Sequence, residues 1–481
     1  MNTYSILNAQ EKRAKHECRS NEFSPFEIGI PLLDISNEVL EKIYYFRWQT
    51  YCGQIKTTPE GFVVTEFLPN VSWAGKYNTI NCPAAHHFAE GRWLHDRRIL
   101  TDYARFWLTD EAEPRKYSFP LADAYLRTWK IWDDYSLSGE LFEKMKANYA
   151  KWEEKHLRPS GLFYQIDNYD GMEFSISGNG LRPTINSYMY SGARALAYIA
   201  ERLGLAEDER IYTEKADRLK RLINELLWDG EAQFYKNRSE ATDYELADVR
   251  EEIGYIPWLY GIPEDKMSVA WKFLNDENHF AAPYGPTSAE RCHPRFMFEH
   301  THMCLWNGPS WPFSTCQTLG AMANLLTDYE QDYVTKSDYY KLLCQYASCH
   351  FIERDGVREP WIDENLDPFT GEWLARKIMI AGGREDWDRG VDYNHSTFCD
   401  LVISGLAGVR FDNGKISVSP LFGEGDIDYL CLDGISLGHA MATVIYDKDG
   451  SRYGRGAGLS LLINGELAAK RDDVGQICAE V

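Results

Sequence analysis

The chain has 481 residues, enough for a large core, with 51 Lys and Arg against 73 Asp and Glu and a net charge of −22. That balance argues against a polyanionic partner such as nucleic acid, since phosphate binding needs a basic face and no long basic run occurs. No apolar stretch nears the ~18 residues of a membrane span, so no membrane partner is expected.

The first residues, Met1 to Ser20, carry Lys12, Arg13, Lys15 and Arg19 with no apolar segment behind them, unlike a secretory leader. The eleven cysteines form no C-x-x-C and are an odd number, which reads as reduced thiols rather than a disulfide framework. Both points lead to the expectation of a cytoplasmic protein. Aromatic residues make up 14% of the chain, and many fall in loops, where flat rings suit the apolar faces of sugars.

Apolar spacing predicts about a dozen helical segments. In chain order they are 35–53, 84–95, 97–109, 120–135, 138–156, 186–204, 206–228, 244–261, 264–275, 310–330, 335–356 and 393–410. Asn37 sits near the start of the first, Pro120 opens the fourth, and Gly204 is a natural stop for the sixth. Short links alternate with long ones at 69–83, 158–185, 276–309 and 358–392. Such alternation suggests helical hairpins arranged in a ring, with the long links gathered on one face as the walls of a cleft. Strand-like stretches then follow at 415–422, 429–446 and 458–470, with turn signals at Asp447–Gly450 and Asn464–Gly465. The expected organisation is an all-α domain over 35–411, an N-terminal lead segment over 1–34, and a small antiparallel β module over 412–481.

Glycosidic hydrolysis needs two carboxyl groups flanking the scissile bond, and the useful ones should lie in the long loops. The 158–185 link offers Asp167, Asp170 and Glu173; the 358–392 link offers Glu359, Asp363, Glu364 and Asp367. Spacing alone does not choose among them, and Asp367 before Pro368 also suits a turn. Trp73, Tyr77, Asn78, Trp306, Asn307, Trp311 and Trp361 fill the loops as candidate sugar contacts, with Arg182, His87 and His395 as polar candidates.

Three stretches carry a family resemblance. Gly171-Met-Glu-Phe-Ser175 resembles the segment holding the general acid in trehalases of glycoside hydrolase family 37 and relatives in family 63. Glu364-Asn-Leu-Asp-Pro-Phe-Thr-Gly371 resembles the segment holding their general base, and Trp306-Asn-Gly-Pro-Ser-Trp-Pro312 resembles a sugar-site stretch. The overall pattern is most similar to the mannosylglycerate-hydrolase-like branch. The resemblance implies an (α/α)6 barrel and inverting hydrolysis of an α-glucoside-like or α-mannoside-like substrate, with Glu173 as acid and Glu364 as base. Two positions depart from it: Glu173 stands where relatives carry Asp, leaving Asp170 as the alternative acid, and Asn307 stands where they often carry Arg. Other readings are a glycan-binding protein without turnover, or a lyase or phosphorylase on the same fold.

Neither a cofactor nor a metal is expected. His86-His87 and the set Cys292, His293, His300, His302 and Cys304 match no zinc spacing. Gly434-Ile-Ser-Leu-Gly438 matches G-x-S-x-G but lies in the expected β module, where no helix follows to make a nucleophile elbow of Ser436.

Overall fold

The structure, a computed structural model, describes residues 4–481. It is helix-rich, with an antiparallel sheet assembled from the C-terminal part of the chain. Among the described residues no helix is long and apolar enough to cross a membrane.

Local signals set the helix ends. Asn37 caps Glu38–Gly53 by accepting from the Leu40 amide at 3.1 Å, and Thr335 and Asp338 form a reciprocal capping box on Lys336–Ser348. Pro183 and Pro312 open their helices, and left-handed Gly204 (φ 71°) closes Pro183–Leu203. Tertiary neighbours follow a regular order. Ala84–Gly91 packs on Leu121–Trp132, which packs on Pro183–Leu203, then Ile256–Leu259, Pro312–Asp328 and the π-helical turn Leu401–Leu406. Glu90 joins the two ends of this series. Its carboxyl accepts from the amides of Phe398, Cys399 (2.9 Å) and Asp400 (2.7 Å), so a side chain of one element caps the entry to the last. The helices Glu38–Gly53, Arg98–Phe106, Ser136–His156 and Ala206–Leu226 lie against members of this series or their neighbours.

Four predicted helices differ. Residues 244–261 form the strand Glu245–Leu246, a 3-10 turn Glu252–Tyr255 and only the short helix Ile256–Leu259. Gly254 lies inside the 3-10 turn, where a Cβ would sit 2.2 Å from Phe234, so the backbone there is pressed against a neighbouring ring. The 264–275 segment winds as a 3-10 helix, Asp265–Phe273. The 335–356 helix stops at Ser348, and Phe351–Arg354 and Val357–Pro360 make a hairpin turning at Asp355 (φ 51°) and Gly356. Residues 393–397 are irregular and feed the cleft before the last turn begins.

The main sheet has five antiparallel strands in the order Leu32–Ile35, Tyr429–Leu437, Ala440–Asp447, Gly458–Ile463, Glu466–Arg471. Its first strand comes from the lead segment, so that segment is built into the sheet. Val409–Asp412, Lys415–Val418 and Ile477–Glu480 form a smaller sheet. Asn464 and Gly465, both at positive φ, make the expected tight hairpin. Ser436 lies within a strand, paired with Met441, and no helix follows.

Candidate active site

A cavity of about 300 Å³ opens where the long links converge. Its carboxyl groups come from Glu66, Glu173 and Glu364, and Arg384 and Arg389 enter from a fourth segment. Trp73, Tyr117, Trp306, Trp311, Phe313, Tyr393 and His395 supply ring surfaces.

The loop bearing Glu173 is held by local geometry. The 3-10 turn Asp167–Asp170 ends at left-handed Gly171 (φ 77°), where a Cβ would lie 2.7 Å from Cys82 Sγ. Met172 then plugs into an apolar cluster with Tyr188, Trp306, Trp311 and Phe313. The Glu173 carbonyl accepts from the Trp306 amide at 3.0 Å, tying the first motif to the third. Phe174 follows at φ 60°, a strained conformation for a bulky residue, and packs on His302. Burial pushes the Glu173 carboxyl up to about 7, and the charge of Glu364 adds to the effect.

Glu364 is buried and held differently. Arg389 donates to its Oε1 through Nε (2.9 Å) and Nη2 (2.8 Å), and the Cys304 thiol donates to Oε2 at 3.3 Å. Its amide is capped by Asp363 Oδ1 at 2.9 Å, while Arg376 Nε holds Asp363 Oδ2 at 2.7 Å. Asn365 accepts from the Ala375 amide and donates to the Met303 carbonyl, fixing the segment from the other side. Asp367 accepts from the amides of Phe369 and Thr370 and is a turn residue; Glu359 sits on the hairpin near Arg354. Trp306 and Trp311 stack at 4.5 Å and 10° to form one flat wall.

Of the candidates named from sequence, Glu173, Glu364, Trp73, Trp306, Trp311 and His395 line this cavity; the others do not. Asp170 is paired with Arg182 (2.8 Å), and both side chains are fully buried. Arg182 also reaches Ser175 Oγ and the Gly178 carbonyl, so the pair braces the loop from behind. Asn78 accepts from the Val71 amide and donates to the carbonyls of Phe67 and Pro69, shaping the loop that carries Trp73. Tyr77 packs on Phe106. His87 bridges Tyr103 and the Asn394 carbonyl, and burial lowers it to about 4. Asn307 donates to the Glu299 carbonyl, and Trp361 lies between Arg354 and Arg376.

Sequence reasoning missed Glu66, Tyr393, Cys304 and Arg389. Arg389 had one signal, the adjoining Gly390, where a Cβ would lie 1.9 Å from Asp363 Oδ1. Among the described residues the one His/Cys/Glu cluster close enough for a metal is His279, Glu290 and Cys292. There Glu290 is already held by Arg250 (2.7 Å) and His279 (2.9 Å). All eleven cysteines are free.

Two of the three carboxyl groups in this cavity differ in setting: burial inclines Glu173 to hold its proton, while Arg389 clamps Glu364. Comparison with known proteins places the chain in a class: residues 76–396 match the mannosylglycerate hydrolase MGH1-like glycoside hydrolase domain. The chain belongs to this glycoside hydrolase family. A solved structure named "Sialidase" shares 35% identity with a TM-score of 0.90, covering 98% of this chain, while this chain spans only 44% of that protein. A GH63 mannosylglycerate hydrolase from Thermus thermophilus, in complex with Tris, aligns at 14% identity and TM-score 0.51, over 70% of this chain and 98% of that one. The GH78 rhamnosidase of Bacillus sp. GL1 aligns at 14% identity and TM-score 0.56, over 92% of this chain and 42% of that one. At that identity the last two speak to fold alone.

Proposed function

We propose that the chain is an inverting, exo-acting glycosidase in which Glu173 protonates the leaving oxygen and Glu364 activates water. The observation that carries this is the different setting of the two carboxyls within one aromatic-walled cavity: burial favours the protonated Glu173, whereas Glu364 is gripped by two nitrogens of Arg389. A cavity of about 300 Å³ suits a single sugar ring rather than a polymer threading through, which supports exo action on a small glycoside. The substrate class follows from the family resemblance, an α-glucoside-like or α-mannoside-like glycoside.

The helical series closed by Glu90 supports reading 35–411 as an (α/α)6 barrel, with 412–481 as an attached β module that recruits one strand from the lead segment. Eleven unpaired cysteines, with Cys18, Cys292 and Cys478 exposed, fit a reducing compartment such as the cytoplasm. The deciding experiment incubates the enzyme with a panel of aryl glycosides and disaccharides and follows the first-released anomer by proton NMR. Inversion is expected; a retained anomer overturns the mechanism, and no cleavage of any member overturns the activity.

A further inference from the structure

Glu66 plays no part in the reaction just described, yet it lines the same cavity with its side chain almost fully buried. It follows the hairpin of Ile55–Thr58 and Gly61–Val64 and is clipped to a distant segment. The Asn394 amide donates to the Glu66 carbonyl at 3.0 Å, and Asn394 Nδ2 donates to the Thr65 carbonyl at 3.1 Å. From that segment the Tyr393 hydroxyl donates to Glu66 Oε1 at 2.7 Å. Tyr393 takes Oε1, which leaves Oε2 as the oxygen that Glu66 can present to the cavity it lines.

With Oε1 occupied as an acceptor, a proton on this carboxyl resides on Oε2. Burial pushes Glu66 up to about 8, the charges of Glu364 and Glu173 adding to the rise, so the proton is held at neutral pH. The ionisable groups around it are Glu173, Glu364, Arg389, Cys82 and the phenols of Tyr103, Tyr117 and Tyr393. Burial raises the thiol and the phenols above their ordinary values, and Arg389 stays charged, so between pH 6 and 9 they do not change state. Glu364 and Glu173 already offer carboxyl oxygens to a sugar. A neutral O–H beside them adds a donor without adding a negative charge.

We propose that Glu66 is a substrate-recognition residue whose Oε2–H donates a hydrogen bond to an oxygen of the bound glycoside, with Tyr393 setting the plane of the carboxyl. This rests on the glycosidase reading of the cavity. The sign of the pH dependence identifies the donor role. A donating Glu66 loses affinity as it ionises; an accepting carboxylate gains it.

The test compares wild type, Glu66→Gln and Glu66→Ala by KM and kcat against pH, on the aryl glycoside that wild type cleaves best. Folding is checked by thermal melts. Wild-type KM should rise about tenfold between pH 6 and 9, one pH unit beyond the ionisation. Glu66→Gln, whose amide donates at every pH, should stay within about threefold of the pH 6 wild-type KM throughout, while kcat keeps the falling limb set by Glu173. Glu66→Ala should raise KM about tenfold or more at pH 6. A wild-type KM that is flat or falls with pH, a Gln variant that follows the wild-type rise, or an Ala variant with normal KM overturns the proposal.

A wild type that cleaves nothing counts against the glycosidase reading instead. Glu66 is then judged by infrared difference spectra of wild type against Glu66→Gln at pH 6. A protonated-carboxyl band that shifts on adding glucose or mannose supports recognition; a band that is missing, or unmoved by either sugar, overturns it.

Discussion

Arg389 grips one oxygen of Glu364 through two nitrogens, and its guanidinium also lies over the Trp73 ring at 4.8 Å. The candidate base is thereby fixed relative to an aromatic wall on a different link. Replacing Arg389 by Met should leave Glu364 buried without its cation and with only the Cys304 thiol as partner, and removing one member of a buried pair costs about 3–5 kcal/mol in comparable cases. The expected result is a clear drop in melting temperature together with a loss of kcat. An unchanged melting temperature would show that the pair does not hold the segment.

Glu364→Gln keeps the shape and one acceptor oxygen for Arg389 but removes the base. Turnover should fall by about 10²–10⁴-fold while the protein remains folded by circular dichroism. Full activity in this variant would remove Glu364 from the mechanism.

Glu173 should shape the alkaline side of the kcat profile. Its carboxyl is raised to about 7, so the acid is protonated below that pH and kcat should fall as pH rises through it. Glu173→Gln should abolish this limb and lower kcat by about 10²–10⁴-fold. The loss should be smallest on aryl glycosides whose leaving group needs no proton. A limb that survives the substitution assigns it to another group.

Asp170→Asn tests the rival acid. Because Asp170 and Arg182 are fully buried and mutually paired, the variant should lose about 3–5 kcal/mol of stability. Its kcat profile should keep the limb near pH 7. A variant of normal stability with no limb would transfer the acid role to Asp170.

Burial also makes the fold sensitive to alkali. Glu252, like Glu66, is raised to about 8 by burial, and its Oε2 has no partner. A folded-state value above the unfolded one means that the native state holds the proton more tightly. Stability from this group is full below the unfolded value near 4.5 and is lost as pH rises towards 8. Glu252→Gln should therefore raise the melting temperature more at pH 8.5 than at pH 5. Equal shifts at both values would show that Glu252 is not a buried neutral acid.

Six of the candidates named from sequence line the cavity, and those that carry a motif were legible because its signals are local. Glu173 and Glu364 sit in glycine-rich and aromatic loops whose segments match a known pattern, and Trp306 and Trp311 belong to the third motif. Glu66 was illegible because its meaning depends on Tyr393, 327 residues away, and a short Thr-Glu-Phe stretch announces nothing. Arg182 and His87 misled for the opposite reason: their polarity was visible, but not the buried partners that consume it. The same limit applies to the fold. Apolar periodicity located the long helices, yet could not report that Glu245–Leu246 at the head of the 244–261 segment pairs as a strand with Arg238–Ser239.

The edge strand Leu32–Ile35 comes before the helical series that begins at Glu38, while the strand it pairs with, Tyr429–Leu437, comes after it. The sheet therefore works as a clasp: it shuts only when both ends of the polypeptide have come together around the helices. Shortening the chain at residue 411 would not trim an appendage. It would strip the partner from an apolar strand near the start and leave its ladder of amides and carbonyls open to other chains.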